Sequence, residues 1–142
     1  MASKWGLKEK LAELQRMKST LPTKLANEAK NHFLQSFRDG GFTDRSLNKW
    51  KPRKVTAKNN VGRGILIKKG DLRRSIIVKY VSWNKIRIGS YGIDYAATHN
   101  YGLRAGRGKG FRMPKRQFIG NSKQLEDRMK KMVNLAFGNI LK

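Results

Sequence analysis

The sequence predicts an α+β fold in which a small antiparallel β-sheet packs against long N-terminal and C-terminal helices. Near both ends of the chain, apolar residues recur at steps of three and four, which is the spacing of an amphipathic helix. Between them, segments 76–81 and 85–89 are rich in isoleucine and valine, and the short gap between them is typical of a β-hairpin. A sheet with one apolar face needs a cover, and the two amphipathic helices are the elements available to provide it.

The N-terminal helical pattern begins at Leu7 and is interrupted by Pro22. Because proline lacks an N–H and its ring clashes with the preceding turn, we expect a kink or a junction of two helices near residues 19–22. Gly40 and Gly41 are expected to end the helical region, since glycine readily adopts the left-handed backbone conformation found at helix C-termini.

The middle of the chain gives weaker patterns. Residues 42–67 are predicted to be mostly loop, with Trp50 docked on the core as an anchor. Asp71 is expected to cap a short turn that ends at Ser75, because its carboxylate can accept a hydrogen bond from a free N–H group at the start of a helical turn. In the second predicted strand, isoleucines alternate with lysine and arginine, which indicates one buried and one solvent-exposed face.

Two further helices are predicted, a short one over 95–101 that ends at Gly102 and a long one over 122–141 with its apolar residues on one face. The elements together predict one shared core. Six side chains are expected to be largely buried in it: Phe37, Ile76, Ile88, Tyr95, Phe118 and Leu125.

A chain of 142 residues is most simply a single domain, here 1–142, with a modest core. The sequence contains no cysteine, which excludes disulfides and thiolate metal sites and fits a reducing compartment. It contains no run of about 18 apolar residues, so neither a membrane-spanning segment nor a membrane partner is expected. The N-terminus enters an amphipathic pattern without the apolar block of a signal peptide, which predicts a protein that is intracellular at synthesis.

Positive charge is the dominant bulk property, because 33 lysines and arginines against 9 acidic residues give a formal net charge of +24. Such a surface repels itself unless an anionic partner screens it, and nucleic acid, an anionic membrane or an acidic protein surface could each do so. Two segments rich in basic residues lack helical periodicity and predict exposed basic loops at about 51–64 and 103–110. The candidate contacts with a partner or with DNA are Arg104, Arg107, Lys109, Arg112 and Arg116.

His99 is the residue most suggestive of catalysis, since it follows Asp94 by five residues on a predicted short helix. A general base needs a nucleophile or a substrate pocket within reach, and the sequence shows no nucleophile elbow, paired carboxylate or phosphate-binding loop. Metal binding would need further ligands, and the second histidine, His32, lies on a distant predicted helix. We therefore expect a structural or interface role for His99, no enzymatic activity, and no cofactor or metal.

Three short motifs follow one another in the region from residue 70 to residue 120. They read Gly-Asp-Leu-Arg-Arg-Ser-Ile over 70–76, Asp-Tyr-Ala-Ala-Thr-His-Asn-Tyr-Gly over 94–102, and Met-Pro-Lys-Arg-Gln-Phe-Ile-Gly over 113–120. In this order they resemble the virion morphogenesis family of tailed bacteriophages, the tail-completion proteins. Members of that family carry a G-x-L-x-x-S-I turn, a Y-A-x-x-H-x-x-G helix and a P-x-R-x-F segment. The residues singled out as structural motif positions are Leu72, Ser75, Tyr95, His99, Gly102, Pro114 and Phe118.

The resemblance covers the chain from about residue 33 to the C-terminus, with two departures. The loop after His99 is richer in arginine and glycine than the family pattern, and the usual P-x-G-x-x-W feature is replaced by Gly40 and Gly41 with Trp50 further on. For the third motif, Arg116 has two open interpretations: it contacts a partner, or it satisfies the domain's own backbone.

The resemblance implies a structural virion protein that acts late in assembly, in tail completion or head–tail joining. It implies a closed homo-oligomeric ring, with neighbouring phage neck or tail proteins as further partners, and a location in the virion after assembly in the host cytoplasm. The alternative is a basic accessory protein that binds nucleic acid without sequence specificity, and the charge alone favours it. Non-specific contact with DNA is compatible with both hypotheses.

Overall fold

The architecture is α+β, as predicted, with a long helix at each end of the chain and short strands between them. The computed structural model describes residues 4–53, 64–67 and 69–142. Its elements are α1 (Lys4–Asp39), β1 (Gly41–Thr43), β2 (Leu47–Lys49), α2 (Asp71–Arg74), β3 (Ile76–Val81), β4 (Ile86–Ser90), α3 (Ala96–Tyr101), β5 (Arg104–Ala105), β6 (Phe111–Arg112) and α4 (Lys123–Leu141).

Within these described residues, the strands form three separate antiparallel hairpins rather than one small sheet. The predicted hairpin is confirmed as β3–β4, in which Ile76 lies opposite Ser90 and Val81 lies opposite Ile86. The other two hairpins, β1–β2 and β5–β6, fall in segments that the sequence predicts to be loops. Their strands have two or three residues each, which is too short for an alternating apolar pattern to be visible.

Helix α1 runs through Pro22 as one continuous element, so of the two expected alternatives the junction of two helices is wrong, and a kink within the helix stays a prediction. Proline in a helix interior costs about 3 kcal/mol, because it removes one hydrogen bond and crowds the preceding turn. Packing of the turn before this position offsets that cost, because Met17 and Leu21 are buried in a cluster with Ile140 of α4. The hydroxyl groups at positions 19 and 20 donate to the carbonyl oxygen of Arg16, at 2.8 and 2.9 Å.

The end of α1 is set by glycine, as predicted. Gly40 has a left-handed φ of 63°, and its carbonyl oxygen accepts a hydrogen bond from the Trp50 N–H at 2.7 Å. The indole of Trp50 is buried edge-on against Phe37, and its Nε1–H donates to the carbonyl oxygen of Gln117 at 2.7 Å. Trp50 is therefore the anchor that the sequence predicts, and it ties the β1–β2 hairpin to the third motif.

Asp71 is not the cap of α2, contrary to the prediction. The N-cap position is taken by Gly70, which has a φ of 77°, and Asp71 is the first residue of the helix. Its carboxylate accepts a hydrogen bond from Arg74 at 2.6 Å instead of one from the backbone. A left-handed backbone before the helix favours glycine at the cap, because other residues adopt that conformation only with strain.

Helix α3 ends, and helix α4 begins, where the sequence predicts. Gly102 ends α3 with a φ of 68°. Ser122 caps α4 by accepting from the Leu125 N–H at 3.2 Å, and its own hydroxyl donates to the carbonyl oxygen of Thr43 at 2.8 Å. Among the residues that the structure describes, no helix is long and apolar enough to cross a membrane.

The main core lies where the β3–β4 hairpin and α4 meet α1. Its buried members are Ala29, Phe33, Phe37, Phe42, Trp50, Leu72, Ile76, Ala96, Phe118 and Leu125. Of the six side chains predicted to be buried, four are in this cluster, and Ile88 is half-buried against it. Tyr95 was predicted wrongly, because it is 47% exposed. It precedes α3, and that helix turns Ala96 and Asn100 toward the core instead.

Candidate functional site

The second and third motifs are joined by one hydrogen bond between their backbones and by one buried side chain. The Arg116 N–H donates to the carbonyl oxygen of His99 at 2.8 Å. The Asn100 side chain is 5% exposed, and its Oδ1 accepts from the Phe118 N–H at 2.9 Å and from the Ile119 N–H at 3.0 Å. Its Nδ2 donates to the carbonyl oxygen of Ile119 at 3.1 Å. Asn100 therefore satisfies three backbone groups that would otherwise lack partners in the interior.

Asn100 is a residue that the sequence reasoning missed. It occupies an unspecified position of the family pattern, and an asparagine within a short helical pattern carries no signal that distinguishes it from a surface polar residue. Its importance depends on which face of α3 is buried, which is a tertiary property.

Gly102 is required both by backbone conformation and by space. Its φ of 68° is left-handed, and a Cβ there would lie 3.1 Å from the Cα of Lys115. The Met113 N–H donates to the carbonyl oxygen of Leu103 at 3.0 Å just beyond this close approach. A glycine at this position allows the second motif to lie directly against the third.

The first motif has a similar internal role. Leu72 is 2% exposed in the main core, and the Ser75 hydroxyl donates to its carbonyl oxygen at 2.6 Å. The hydroxyl groups of Ser75 and Ser90 are also 2.6 Å apart, which links α2 to the end of β4. Phe118 of the third motif is 1% exposed and packs against Phe37, while Pro114 is half-buried. Most motif positions therefore build the scaffold.

The three motifs also share the lining of one cavity of about 500 Å³. The first motif contributes Gly70, Asp71 and Leu72, the second Tyr95 and His99, and the third Arg116. The described residues that complete the lining are Arg53, Ile65, Leu66 and Lys69. We call this space the motif cavity.

Arg116 lies inside the motif cavity and is 7% exposed. Its Nε–H and Nη2–H donate to the carbonyl oxygen of Lys51 at 3.1 and 3.0 Å. The structure thus shows Arg116 satisfying a backbone group of its own domain, which is one of the two interpretations left open by the sequence. Burial, and after it the positive charge of Arg53, lowers the pKa of Arg116 from its usual value.

His99 contributes a neutral imidazole to the motif cavity. Its Nδ1 is buried and has no hydrogen-bond partner among the described residues, while the ring lies edge-on to Tyr95 at 5.8 Å between centroids. Burial, and after it the charge of Arg116, lowers the pKa of His99 below 6.5, so the ring is uncharged at neutral pH. A buried N–H without an acceptor is costly, which favours the tautomer that carries its proton on Nε2.

His32 is in a different environment on α1. Its Nε2–H donates to the carbonyl oxygen of Thr43 at 3.0 Å, and its Nδ1 accepts from Arg128 at 2.6 Å. Arg128 is also ion-paired with Glu28 at 3.1 Å. Burial lowers the pKa of His32, with Arg128 adding to the effect against opposing contributions from Thr43, Glu28 and nearby Asp39. Both histidines are therefore held in the neutral form.

The predicted basic loop at 103–110 forms strand β5 and the turn of the β5–β6 hairpin, and β6 follows it at 111–112. Its charged side chains Arg104, Arg107, Lys109 and Arg112 are all exposed. Arg104 donates from Nη2 to the carbonyl oxygen of Lys109 at 3.0 Å, which closes the hairpin. Three exposed apolar side chains accompany the charges: Tyr101, Leu103 and Phe111. We call this surface the basic hairpin.

Most of the other predicted basic loop, at about 51–64, lies outside the described residues, since 54–63 are not described. Within the described ranges, no group of three or more histidine, cysteine, aspartate or glutamate side chains is arranged to hold a metal ion. Among the described residues, the lining of the motif cavity includes cations, an imidazole, one carboxylate and apolar side chains, but no serine, threonine or cysteine. This combination can bind an anionic group against an apolar wall.

The fold and the site together define a small, strongly basic α+β protein whose three sequence motifs form a common scaffold around one cavity. The model of the phage virion morphogenesis family matches residues 5–137, nearly the whole chain, and the protein belongs to that family. The resemblance inferred from the three motifs is thereby confirmed, and it extends further toward the N-terminus than the motifs indicate. Comparison with curated proteins and with solved structures finds no match.

Membership in this family makes the chain a bacteriophage protein with a role in virion structure or assembly, and places it in association with the virion.

Proposed function

We propose that the protein acts in tail completion or head–tail joining, as a subunit of a homo-oligomeric ring that also contacts neighbouring neck or tail proteins. The observation that carries the proposal is the family match over residues 5–137. Assembly would take place in the host cytoplasm, and the finished ring would stay in the virion. We further propose that this role involves neither enzymatic activity nor a cofactor.

The exposed ends of the hairpins support an assembly role. Tyr80 and Trp83, at the end of the β3–β4 hairpin, are 51% and 46% exposed, and Phe111 on the basic hairpin is 57% exposed. Large aromatic side chains of this kind are common anchors in protein–protein interfaces. A closed ring needs two different complementary surfaces on each subunit, and these two hairpins belong to separate sheets of the described fold.

The test is made in the phage that encodes this chain. Removing the gene should yield particles that accumulate as separate heads and tails, or as tails with an unfinished end, in electron micrographs of the lysate. Purified protein added to that lysate should restore joined, infectious particles, and its native mass should be a multiple of 16.3 kDa. Normal joined particles in the absence of the protein would contradict the proposal.

The second candidate function is non-specific binding of nucleic acid, which the net charge of +24 and the exposed cations of the basic hairpin favour. Such binding should weaken steeply with salt, because each neutralised phosphate releases a counterion. Tight binding to a DNA duplex at low salt, together with normal head–tail joining in the absence of the protein, would favour this function over the first.

A further inference from the structure

The motif cavity combines an apolar wall with an excess of positive charge. Ile65 and Leu66 are half-buried against the main core, and Leu72 belongs to it. The described residues that line the same cavity include three cations, Arg53, Lys69 and Arg116, and a single carboxylate, that of Asp71.

That carboxylate does not neutralise the three cations. Asp71 is engaged by Arg74, which does not line the cavity, at 2.6 Å. Arg53 and Arg116 lie close enough for the charge of one to lower the pKa of the other, and Arg116 in turn acts on His99. Positive groups that disfavour one another in a partly buried space gain stabilisation when an anion enters between them.

The donors of the cavity are held in place before any ligand arrives. Two N–H groups of Arg116 are fixed on the Lys51 carbonyl oxygen, and a guanidinium has five, so three remain that no hydrogen bond to the described residues engages. Arg53 is held by a hydrogen bond from Nη2 to the carbonyl oxygen of Gly64 at 3.0 Å. Donors that are already positioned lose less conformational entropy on binding.

The wall of the cavity contains a strained residue. Leu66 has a φ of 63°, a left-handed conformation that a bulky side chain rarely adopts. Strained backbone of this kind persists only where the surroundings impose it, and it is found preferentially at sites that hold ligands. Here the strained residue contributes its side chain to the cavity wall and to the packing against the core.

We propose that the motif cavity docks an acidic peptide segment of a neighbouring virion protein, with a carboxylate beside Arg53, Lys69 and Arg116 and an adjacent apolar side chain on Leu66 and Leu72. The inference rests on the proposed assembly function and names the chemistry of one partner. A concave space of about 500 Å³ holds a few side chains. A DNA backbone has no apolar side chain to place on this wall, and the exposed basic hairpin suits it better.

A second copy of this chain is a poorer source of such a segment. The chain has 9 acidic residues against 33 basic ones, and several acids are already paired. Glu28 is paired with Arg128, Asp71 with Arg74, and both Glu126 and Asp127 with Lys123. Charge complementarity therefore favours a different protein.

The test measures the binding of a fluorescein-labelled peptide, Gly-Leu-Glu-Leu-Asp-Gly, by fluorescence anisotropy, with the amide peptide Gly-Leu-Gln-Leu-Asn-Gly as its match. The protein is compared with the double variant Arg53→Gln/Lys69→Gln, which keeps the buried Arg116. The control is Lys18→Gln/Lys131→Gln, which removes the same charge from exposed positions on α1 and α4.

We expect saturable binding of the acidic peptide and at least about tenfold weaker binding by the cavity variant, which corresponds to about 1.4 kcal/mol. The control variant should bind within about twofold of the parent, and the amide peptide should bind weakly to all three proteins. Thermal melts followed by circular dichroism establish that the variants fold, because a variant that failed to fold would show a lower melting temperature in addition to its loss of peptide affinity.

Three outcomes would overturn the inference. The first is no saturable binding of the acidic peptide, and the second is an equal loss of peptide affinity in the cavity and control variants. The third is a loss of duplex DNA affinity in the cavity variant as large as its loss of peptide affinity. Each leaves the assembly role intact if particles without the protein still fail to join. Normal particles without the protein would defeat the assembly role whatever the peptide measurements show.

Discussion

The junction of the second and third motifs and the basic hairpin lie in the same stretch of chain, yet they are built differently. At the junction, side chains are buried and backbone groups are satisfied one by one, as Asn100 does for Phe118 and Ile119. In the basic hairpin, the cations are exposed and one hydrogen bond from Arg104 closes the turn. The comparison indicates that the family motifs preserve a scaffold, whereas the charge between them is free to contact partners.

The largest expected effect is the loss of Phe118, the most buried aromatic ring of the junction. Phe118→Ala should lower the free energy of unfolding by about 3–5 kcal/mol, because it removes buried area and leaves a cavity in the core. Urea denaturation followed by circular dichroism measures the change. The matched variant Phe111→Ala alters a ring that is 57% exposed on the basic hairpin and should have a much smaller effect. Equal losses would remove the distinction between the two regions.

Asn100→Ala should have the next largest effect. It leaves the Phe118 and Ile119 N–H groups without partners, at about 1–3 kcal/mol for each buried donor. Urea denaturation again measures the loss, with Asn134→Ala on the exposed face of α4 as the control. If Asn100→Ala were as stable as the control, the hydrogen bonds of the junction would not determine how the motifs fit together.

The histidines predict a pH dependence of stability. Both have a pKa lowered by burial, so between the usual pKa near 6.5 and the lower folded value the unfolded chain binds more protons than the folded one. The stabilisation that comes from holding the histidines neutral is complete above the pKa of the unfolded state and is lost as the pH falls below it. The urea concentration at the unfolding midpoint should decrease when the pH is lowered from about 7.5 to about 5.5. Most carboxyl groups titrate below this window.

Variants of the two histidines distinguish the contribution of the junction to this pH dependence from that of the rest of the core. His99→Gln removes a titrating ring at the junction, and His32→Gln removes one whose Nδ1 accepts from Arg128. Each substitution should make the midpoint less sensitive to pH over this window. Curves of unchanged slope for both variants would show that neither histidine is held neutral in the folded protein.

The smallest effect on stability is expected for the basic hairpin. Replacing Arg104, Arg107 and Lys109 together with glutamine should leave the urea midpoint unchanged within error, because exposed charges contribute little to folding. The same variant should weaken assembly into complete virions, or flatten the salt dependence of DNA association. A variant that completed infectious particles normally and bound DNA like the parent would show that these charges are only solvated surface.

Local sequence signals predicted much of the fold. Gly40, Gly102 and Ser122 set helix ends through conformational preferences that act within a few residues. The β3–β4 hairpin was visible because its strands are long enough for β-branched residues and alternation to stand out. These features do not depend on which distant segment packs against them.

The features that the sequence did not predict depend on tertiary contacts. The continuity of α1 at Pro22 requires the packing of α4, and the exposure of Tyr95 follows from the face of α3 that the core accepts. The motif cavity draws residues from segments far apart in the chain, including Arg53 and Lys69, which no motif contains. No pattern of neighbouring residues could have brought them together.

Helix α1 extends past the region that α4 covers. The last turn of α4 packs through Ile140 against Met17 and Leu21, whereas Leu7 and Leu11 are 59% and 51% exposed. The eight residues 4–11 span about 12 Å at 1.5 Å per residue. They include three lysines and one glutamate, a net charge of +2 in eight residues, so this end of the helix is as basic as the rest of the chain.

Charges that lie more than about 8 Å from this end of the helix are largely screened at physiological ionic strength, so its own lysines dominate the potential that a neighbour meets there. Leu7 and Leu11 therefore lie exposed beside lysines, and any surface that covers these leucines must also accommodate the local positive charge.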